Sequence, residues 1–178
     1  MILLGVSGRK RHGKDTFAAR LVERHGFTRV AFADPMREMA LALDPIISDG
    51  WRLAALVETF GWEEAKANPE VRRTLQRLGT EAGRGVLGDN IWVDTAMRHA
   101  RALGGRVVFT DCRFPNEALV VRAAGGQLVR VNRPGFADDG DLHTSESALD
   151  EYAFDHLVLN DGSIDELHAI ADRIAAGL

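Results

Sequence analysis

Seven residues near the start of the sequence, Gly8-Arg9-Lys10-Arg11-His12-Gly13-Lys14, carry its most specific chemistry. Their G-x-x-x-x-G-K spacing suits a loop whose glycines let the backbone curl, turning successive N–H groups inward onto phosphate oxygens. The apolar run Ile2 to Val6 precedes the loop, and an amphipathic stretch from Lys14 to His25 follows it. The loop thus lies between a strand and the N-terminus of a helix, which adds about half a positive charge. Gly8, Arg9, Lys10, Arg11, His12, Gly13 and Lys14 are expected to hold a triphosphate, with the Lys14 ammonium on its β and γ groups. The plain alternative is an ordinary glycine-rich turn with a snorkelling lysine.

One departure from the pattern bears on metal chemistry. The place after the lysine usually holds Ser or Thr, whose hydroxyl binds Mg2+; here Asp15 stands there and Thr16 follows. A carboxylate is also a hard oxygen ligand, so Asp15 is expected to serve Mg2+ and Thr16 a phosphate, with Thr16 the other metal candidate. Asp111 closes RVVFTD, the place of a second magnesium-organising carboxylate. A turn-forming aspartate reads equally well there, but Arg113, two residues on, would face the same crevice.

Charge agrees with a focused anion site. The chain of 178 residues carries 22 Lys and Arg against 26 Asp and Glu, a net of −4, yet residues 9 to 14 hold four bases and no acid. A positive loop in an acidic body favours a small polyanion over nucleic acid or an anionic membrane surface. With 46% hydrophobic residues and no apolar run of the roughly 20 residues that span a bilayer, one globular domain without a membrane anchor is expected. A single cysteine, Cys112, excludes an internal disulfide framework and fits a reducing compartment. The opening MILLGVSG lacks the flanks of a secretory signal, so a cytoplasmic protein is expected.

The elements that must position these groups follow from periodicity. Strands are expected at Ile2 to Val6, at 28–33, at Arg106 to Thr110, after Gln127 (LVRV) and at Leu157 to Leu159. The first helix runs from Lys14 to His25 with Phe17, Leu21 and Val22 inward and Gly26 as its stop. Asp34-Pro35 reads as N-cap and first helical position of the next, whose stripe is Met36, Met39, Ala40 and Leu43. Residues 45–104 look helical, with Asn68-Pro69 opening one helix lined by Val71, Leu75, Leu78 and Ala82, and another from Ile91 to Leu103. Ser163 and Glu166 form a capping box for the last, lined by Leu167, Ile170, Ala171 and Ile174. Five short buried strands alternating with helices imply a parallel sheet covered on both faces, with chemistry beyond its carboxyl ends.

Three classes of phosphate-loop protein compete. A switch needs a base-reading Asn-Lys-x-Asp segment, which is absent. A hydrolysing ATPase needs a group to orient water, and DCRFPNE offers Glu117 only inside the following helix. A kinase of a small acceptor needs further cations near strand ends. Arg37 follows strand two; Arg72, Arg73 and Arg77 lie on the inserted helix; Arg113 and Arg133 follow strands three and four.

Those segments together resemble the phage-type deoxynucleoside monophosphate kinases: SGRKRHGKDT, FADPMREMA, VRRTLQRLGTEAGR with DNIWV, VVFTDCRFPNEALVVRAAGGQLVRVNRPG, HTSE and LVLNDGSIDEL. The resemblance covers nearly the whole chain and includes the Gly-Lys-Asp-Thr form of the loop. It implies an α/β P-loop kinase fold, with a core at about 1–34 and 105–178, a helical acceptor-binding insert at about 35–104 and a lid at about 133–147. It implies transfer of the γ-phosphate of ATP, with Mg2+, to a deoxynucleoside 5′-monophosphate, in the host cytoplasm if the gene is a phage's. Lys14, Asp111, Arg113 and Arg133 would be catalytic. Asp34 would belong to the acceptor site, Arg37 with Arg72 or Arg73 would hold the acceptor phosphate, Gln76 and Thr80, one helical turn apart, would hydrogen-bond the acceptor, and Trp92 would either stack on its base or pack in the core. Asn160, after strand five, would lie near the adenine. His143 and Glu146 lack the further ligands of a zinc site. A kinase of phosphomevalonate or dephospho-coenzyme A type and a non-catalytic nucleotide-binding protein are the rivals. The helices of the 69–103 region could form a dimer face or complete the core.

Overall fold

A computed structural model describes residues 1–48, 50–135 and 148–178. In chain order the elements are β1 (Ile2–Ser7), α1 (Lys14–His25), β2 (Phe27–Val30), α2 (Asp34–Leu43), β3 (Ile46–Ser48), β4 (Trp51–Arg52), α3 (Leu53–Ala65) and α4 (Pro69–Gln76). A wide π-type helical stretch, Arg77–Leu87, continues α4. Then come α5 (Ile91–Leu103), β5 (Arg106–Phe109), α6 (Pro115–Ala123), β6 (Gln127–Asn132), β7 (His156–Leu159) and α7 (Ile164–Ala176). The chain divides into two compact units, Met1–Phe32 with Met97–Leu178, and Ala33–Ala96.

The first unit contains the expected parallel sheet, in the order β2-β5-β1-β6-β7. Leu4 and Val6 of β1, Val108, Val129, Val131 and Val158 meet Phe17 and Leu21 of α1 and Leu167 and Ala171 of α7 in one cluster. Each large side chain buried there is worth about 1.5–3 kcal/mol. On the opposite face α6 covers the sheet, and a Cβ at Gly5 would meet Val121 of α6 at 3.6 Å and crowd Leu128 of β6 at 2.8 Å. Gly26 ends α1 in the left-handed conformation (φ 67°), and Ser163 and Glu166 cap α7 reciprocally, as their spacing implies. Val22, expected inward, is exposed.

β2 stops at Val30 rather than running to residue 33. Ala31 and Phe32 are buried outside the strand, because the Phe32 N–H donates to the Asp111 carboxylate (2.7 Å) instead of to a neighbouring strand. Among the described residues of the first unit, no helix is long and apolar enough to cross a membrane, and the same holds for the second.

The second unit is helical except for the β3–β4 hairpin, which the helical reading of 45–104 passed over. Its signal is Asp49-Gly50 between two apolar segments, a short hairpin dipeptide; Gly50 supplies φ 79°. Ala40, Ile47, Leu53, Val71 and Leu75 form the core here, with Met36 and Leu78 against it. Met39, Leu43 and Ala82, expected on apolar stripes, are exposed. Asn68 caps α4 through its side chain, while Ala33, one residue before the expected Asp34, is the N-cap of α2.

Candidate functional site

The loop between β1 and α1 has the backbone that phosphate binding requires. Gly8 (φ 138°), Arg11 (φ 64°) and Gly13 (φ 96°) all take positive φ, the kind of backbone that lets a curled loop form an anion-binding concavity. A Cβ at Gly8 would lie 2.2 Å from the Val131 carbonyl oxygen, and one at Gly13 2.5 Å from Asn160 Nδ2, so glycine is obligatory at both. Arg11 adopts the same region with a full side chain, a strain of order 1 kcal/mol held at a working loop. Lys14 is buried, and its Nζ donates to the Arg9 carbonyl across the loop (2.7 Å).

Two outside groups brace the loop, the Asn160 side chain and the Arg133 backbone. Asn160 Nδ2 donates to the His12 carbonyl (3.0 Å), and its backbone N–H donates to the Asn132 carbonyl (2.7 Å). The Arg133 N–H donates to His12 Nδ1 (3.1 Å), which ties the end of β6 to the loop. Asn160, expected near an adenine, is thus also bonded to the phosphate loop.

The block from Asp111 to Glu117 is built as a rigid corner. Asp111 is fixed by the Phe32 N–H. The buried Glu117 carboxylate accepts from the N–H groups of Arg113 (2.7 Å) and Phe114 (3.0 Å), closing the start of α6 ahead of Pro115. Glu117 thus positions the loop rather than a water. Cys112 beside it is buried, and burial pushes its thiol well above the ordinary range.

Sequence reasoning missed Asp150 and Arg130. Arg130, on β6, donates to the Leu149 carbonyl (2.8 Å), approaches Asn132 Oδ1 (3.3 Å), lies over the Phe154 ring and forms a close ion pair with Asp150 Oδ1. Asp150 Oδ2 accepts from Arg9 of the phosphate loop (2.8 Å). Burial pushes the Asp150 carboxyl up, but hydrogen bonds from Arg130 and Arg9 outweigh it and hold the group below the usual range. Arg9, His12, Arg130, Arg133, Tyr152 and Phe154 line one cleft of about 680 Å3. The signal was a lone charge inside the buried strand LVRV, which demands a partner. Residues 136–147 of the expected lid, with His143 and Glu146, lie outside the described residues.

In the second unit the structure brings Asp34 and Arg37 together (3.6 Å) and lays the Arg37 guanidinium over the Trp62 ring (5.7 Å), a contact no motif signalled. Arg72 Nε donates to the Lys66 carbonyl at the end of α3 (2.8 Å), whereas the exposed Arg73 pairs locally with Glu70 (3.6 Å). Gln76 and Thr80 are exposed, but Thr80 lies in the π-type stretch, whose wider winding breaks the one-turn spacing assumed for the pair.

Trp92 packs against that stretch. Its indole Nε1 donates to the Gly79 carbonyl (2.8 Å), and its ring lies where a Cβ at Gly83 would come within 2.2 Å. Only 6% exposed, Trp92 packs in the core of this unit instead of offering a face to a base. An apolar cleft of about 450 Å3 lined by Ala40, Leu43, Pro45, Leu78 and Ala82 includes Arg77 but none of Asp34, Arg37, Arg72, Arg73, Gln76, Thr80 and Trp92.

Among the described residues no three His, Cys, Asp or Glu side chains cluster as an all-protein metal cage. Asp15 and Thr16 in the first turn of α1 and Asp111 at the end of the strand beside β1 are nevertheless hard oxygen donors, the donor chemistry of an ion that takes one or two carboxylates and completes its shell with phosphate and water.

Residues 52–170 match the family model of deoxynucleotide monophosphate kinase. A protein of Acanthamoeba polyphaga mimivirus provisionally named for the same kinase is 33% identical over 95% of this chain and 93% of its own length. The deoxynucleotide monophosphate kinase of Escherichia phage RB69 is 31% identical over 58% of this chain, which spans 44% of the phage protein. In fold, the chain is similar to dephospho-CoA kinase from Campylobacter jejuni, with a TM-score of 0.50 over 98% of this chain and 96% of the other at 15% identity.

Proposed function

Because the chain belongs to the deoxynucleotide monophosphate kinase family, we propose that it transfers the γ-phosphate of ATP to deoxynucleoside 5′-monophosphates, giving ADP and the diphosphates. The observation that carries this reading is the backbone of the phosphate loop, with three positive-φ residues and the buried Lys14 at the start of α1.

Each part has a role that phosphoryl transfer needs. The loop amides and Lys14 grip the donor phosphates, and the α1 N-terminus adds its partial charge. Asp15, Thr16 and Asp111 are the residues that would hold Mg2+, which when bound neutralises charge on the donor phosphates. Arg113, set by the Glu117 cap, and Arg133, tied to His12, supply further positive charge as the γ group moves. On the second unit Arg37, oriented by Asp34 and Trp62, and Arg73 take the acceptor phosphate, while Gln76 and Thr80 are polar partners for its nucleoside. Arg72 braces the end of α3 and is the weaker candidate. No general base is required, since the attacking phosphate oxygen is already anionic and transfer rests on alignment and electrostatics.

ADP release, followed with the four deoxynucleoside monophosphates, their ribose counterparts and dephospho-coenzyme A as acceptors, tests this. ADP formation that needs both Mg2+ and a deoxynucleotide acceptor is expected. Equal release without any acceptor, or release with dephospho-coenzyme A alone, would overturn it.

A further inference from the structure

The carboxylate of Asp150 is shared unequally by two arginines. On one side Arg130 is held four ways, by Asp150, the Leu149 carbonyl, Asn132 and the Phe154 ring, and its side chain is only 10% exposed. On the other side Arg9 belongs to the phosphate loop, its side chain is 31% exposed, and its bond to Asp150 spans 141 residues of sequence. One leg is fixed and buried; the other is open to solvent and sits where a polyanion would bind.

We propose that Asp150 is a positioning residue that holds Arg9 until a triphosphate replaces it as the partner of that arginine. A triphosphate carries several charges against the single one of Asp150, so Arg9 gains by the exchange. Asp150 loses little, because Arg130 keeps its charge balanced, and a carboxylate left without any partner would have made the exchange costly. When product leaves, Asp150 recaptures Arg9, which keeps the four-base loop ordered and lowers its affinity for nucleotide. This rests on the loop being the triphosphate site.

Titration of the full-length protein with inorganic tripolyphosphate, followed by NMR, separates the two ideas. The Gly8 and Gly13 amides report whether the loop binds; the Nε–Hε groups of Arg9 and Arg130 report the exchange. The expected result is that the glycine amides and Arg9 Nε–Hε shift together while Arg130 Nε–Hε stays. Glycine shifts with an unmoved Arg9, or with an equal response from Arg130, would overturn the exchange alone. Silence at all four would overturn both it and the function proposed above. Asp150→Asn should bind tripolyphosphate and ADP about two- to fivefold more tightly, the scale of one partly exposed ion pair, and Asp150→Glu should restore wild-type affinity. In an Arg9→Ala background the gain from Asp150→Asn should shrink. A purely structural Asp150 would instead give weaker binding and a lower Tm in Asp150→Asn, which would sink the proposal; the NMR result on the unmodified protein stands whether or not the variants fold.

Discussion

The two units of this kinase use charge in opposite ways. In the sheet unit, ion pairs join residues far apart in sequence: Arg9 and Arg130 to Asp150, Arg20 and His25 to Asp172, Arg122 to Asp155. In the helical unit, Arg37–Asp34, Lys66–Glu63, Arg73–Glu70 and Arg77–Glu81 join neighbours three or four apart on one helical stretch, and Arg52–Asp44 spans only eight residues. A long-range pair restrains the fold and the loop it touches. A local pair on an exposed helix is worth about 0.3–0.5 kcal/mol, so an arriving phosphate can displace the acid from such an arginine at small cost. The proposed donor site is thus preformed, and the arginines proposed for the acceptor are held by weak local partners.

The sharpest way to break this contrast is at the preformed site. Lys14→Ala should reduce turnover about a hundred- to thousandfold, the scale of losing one preorganised charge donor at a transferring phosphate. Its Tm should stay close to wild type, because the bond from Lys14 to the Arg9 carbonyl lies within the loop and that carbonyl can turn to water when the ammonium is gone. Steady-state rates beside a thermal melt check both halves; near-native turnover would remove the loop from catalysis. Next in size, Arg37→Ala should raise the acceptor KM about ten- to a hundredfold, as for loss of a charge-assisted bond, and leave the KM for ATP unchanged. Arg37→Lys should recover only part of this, since a compact ammonium stacks less well on Trp62. Equal effects on both substrates would mean that the units do not divide the labour as described.

How far the sequence could carry these assignments depends on the range of the signal. The phosphate loop, α1, α5 and α7 were legible because their determinants are local: two glycines around a basic run, Gly26 at the end of α1, Ser163 three residues before Glu166. The sheet followed from short apolar runs separated by helices. Asp150 was not legible, since nothing within a few residues of it names Arg9 or Arg130; only the path of the chain brings the three together. Gln76 and Thr80 were paired on the assumption of uniform α-helical winding, and Trp62 was missed because a stacked arginine leaves no sequence pattern. The helical stripe assigned to 45–104 hid the Asp49-Gly50 hairpin signal for the same reason: periodicity over a long window outweighs one dipeptide.

A smaller effect is expected where the helical unit is itself tightly built. Gly83→Ala places a methyl 2.2 Å from the Trp92 ring, which is buried and anchored by its bond to the Gly79 carbonyl. Overpacking of this kind costs about 1–3 kcal/mol, measurable by chemical denaturation. It should also raise the acceptor KM through Thr80, on the same π-type stretch, while ATP affinity measured by calorimetry stays unchanged. A fall in ATP affinity instead would show that the winding of this stretch reaches the donor loop.

The smallest effect concerns the clasp between α1 and α7. Hydrogen bonds from Arg20 and then His25 hold the Asp172 carboxyl well below the usual carboxylate range. A carboxyl whose folded pKa is depressed stabilises the protein above its unfolded pKa, about 3.9 for aspartate. That contribution disappears as pH falls through the lower folded value, because the folded state must then take up the proton it had resisted. Asp172→Asn should therefore melt lower than wild type at neutral pH, and the gap should narrow steadily below about pH 4 until the two curves meet. The pair is partly exposed, so concentrated salt should shrink the neutral-pH gap as well. Were the gap instead independent of both pH and salt, Asp172 would act by shape rather than charge, and the long-range ion pairs of the sheet unit could not be credited with restraining it.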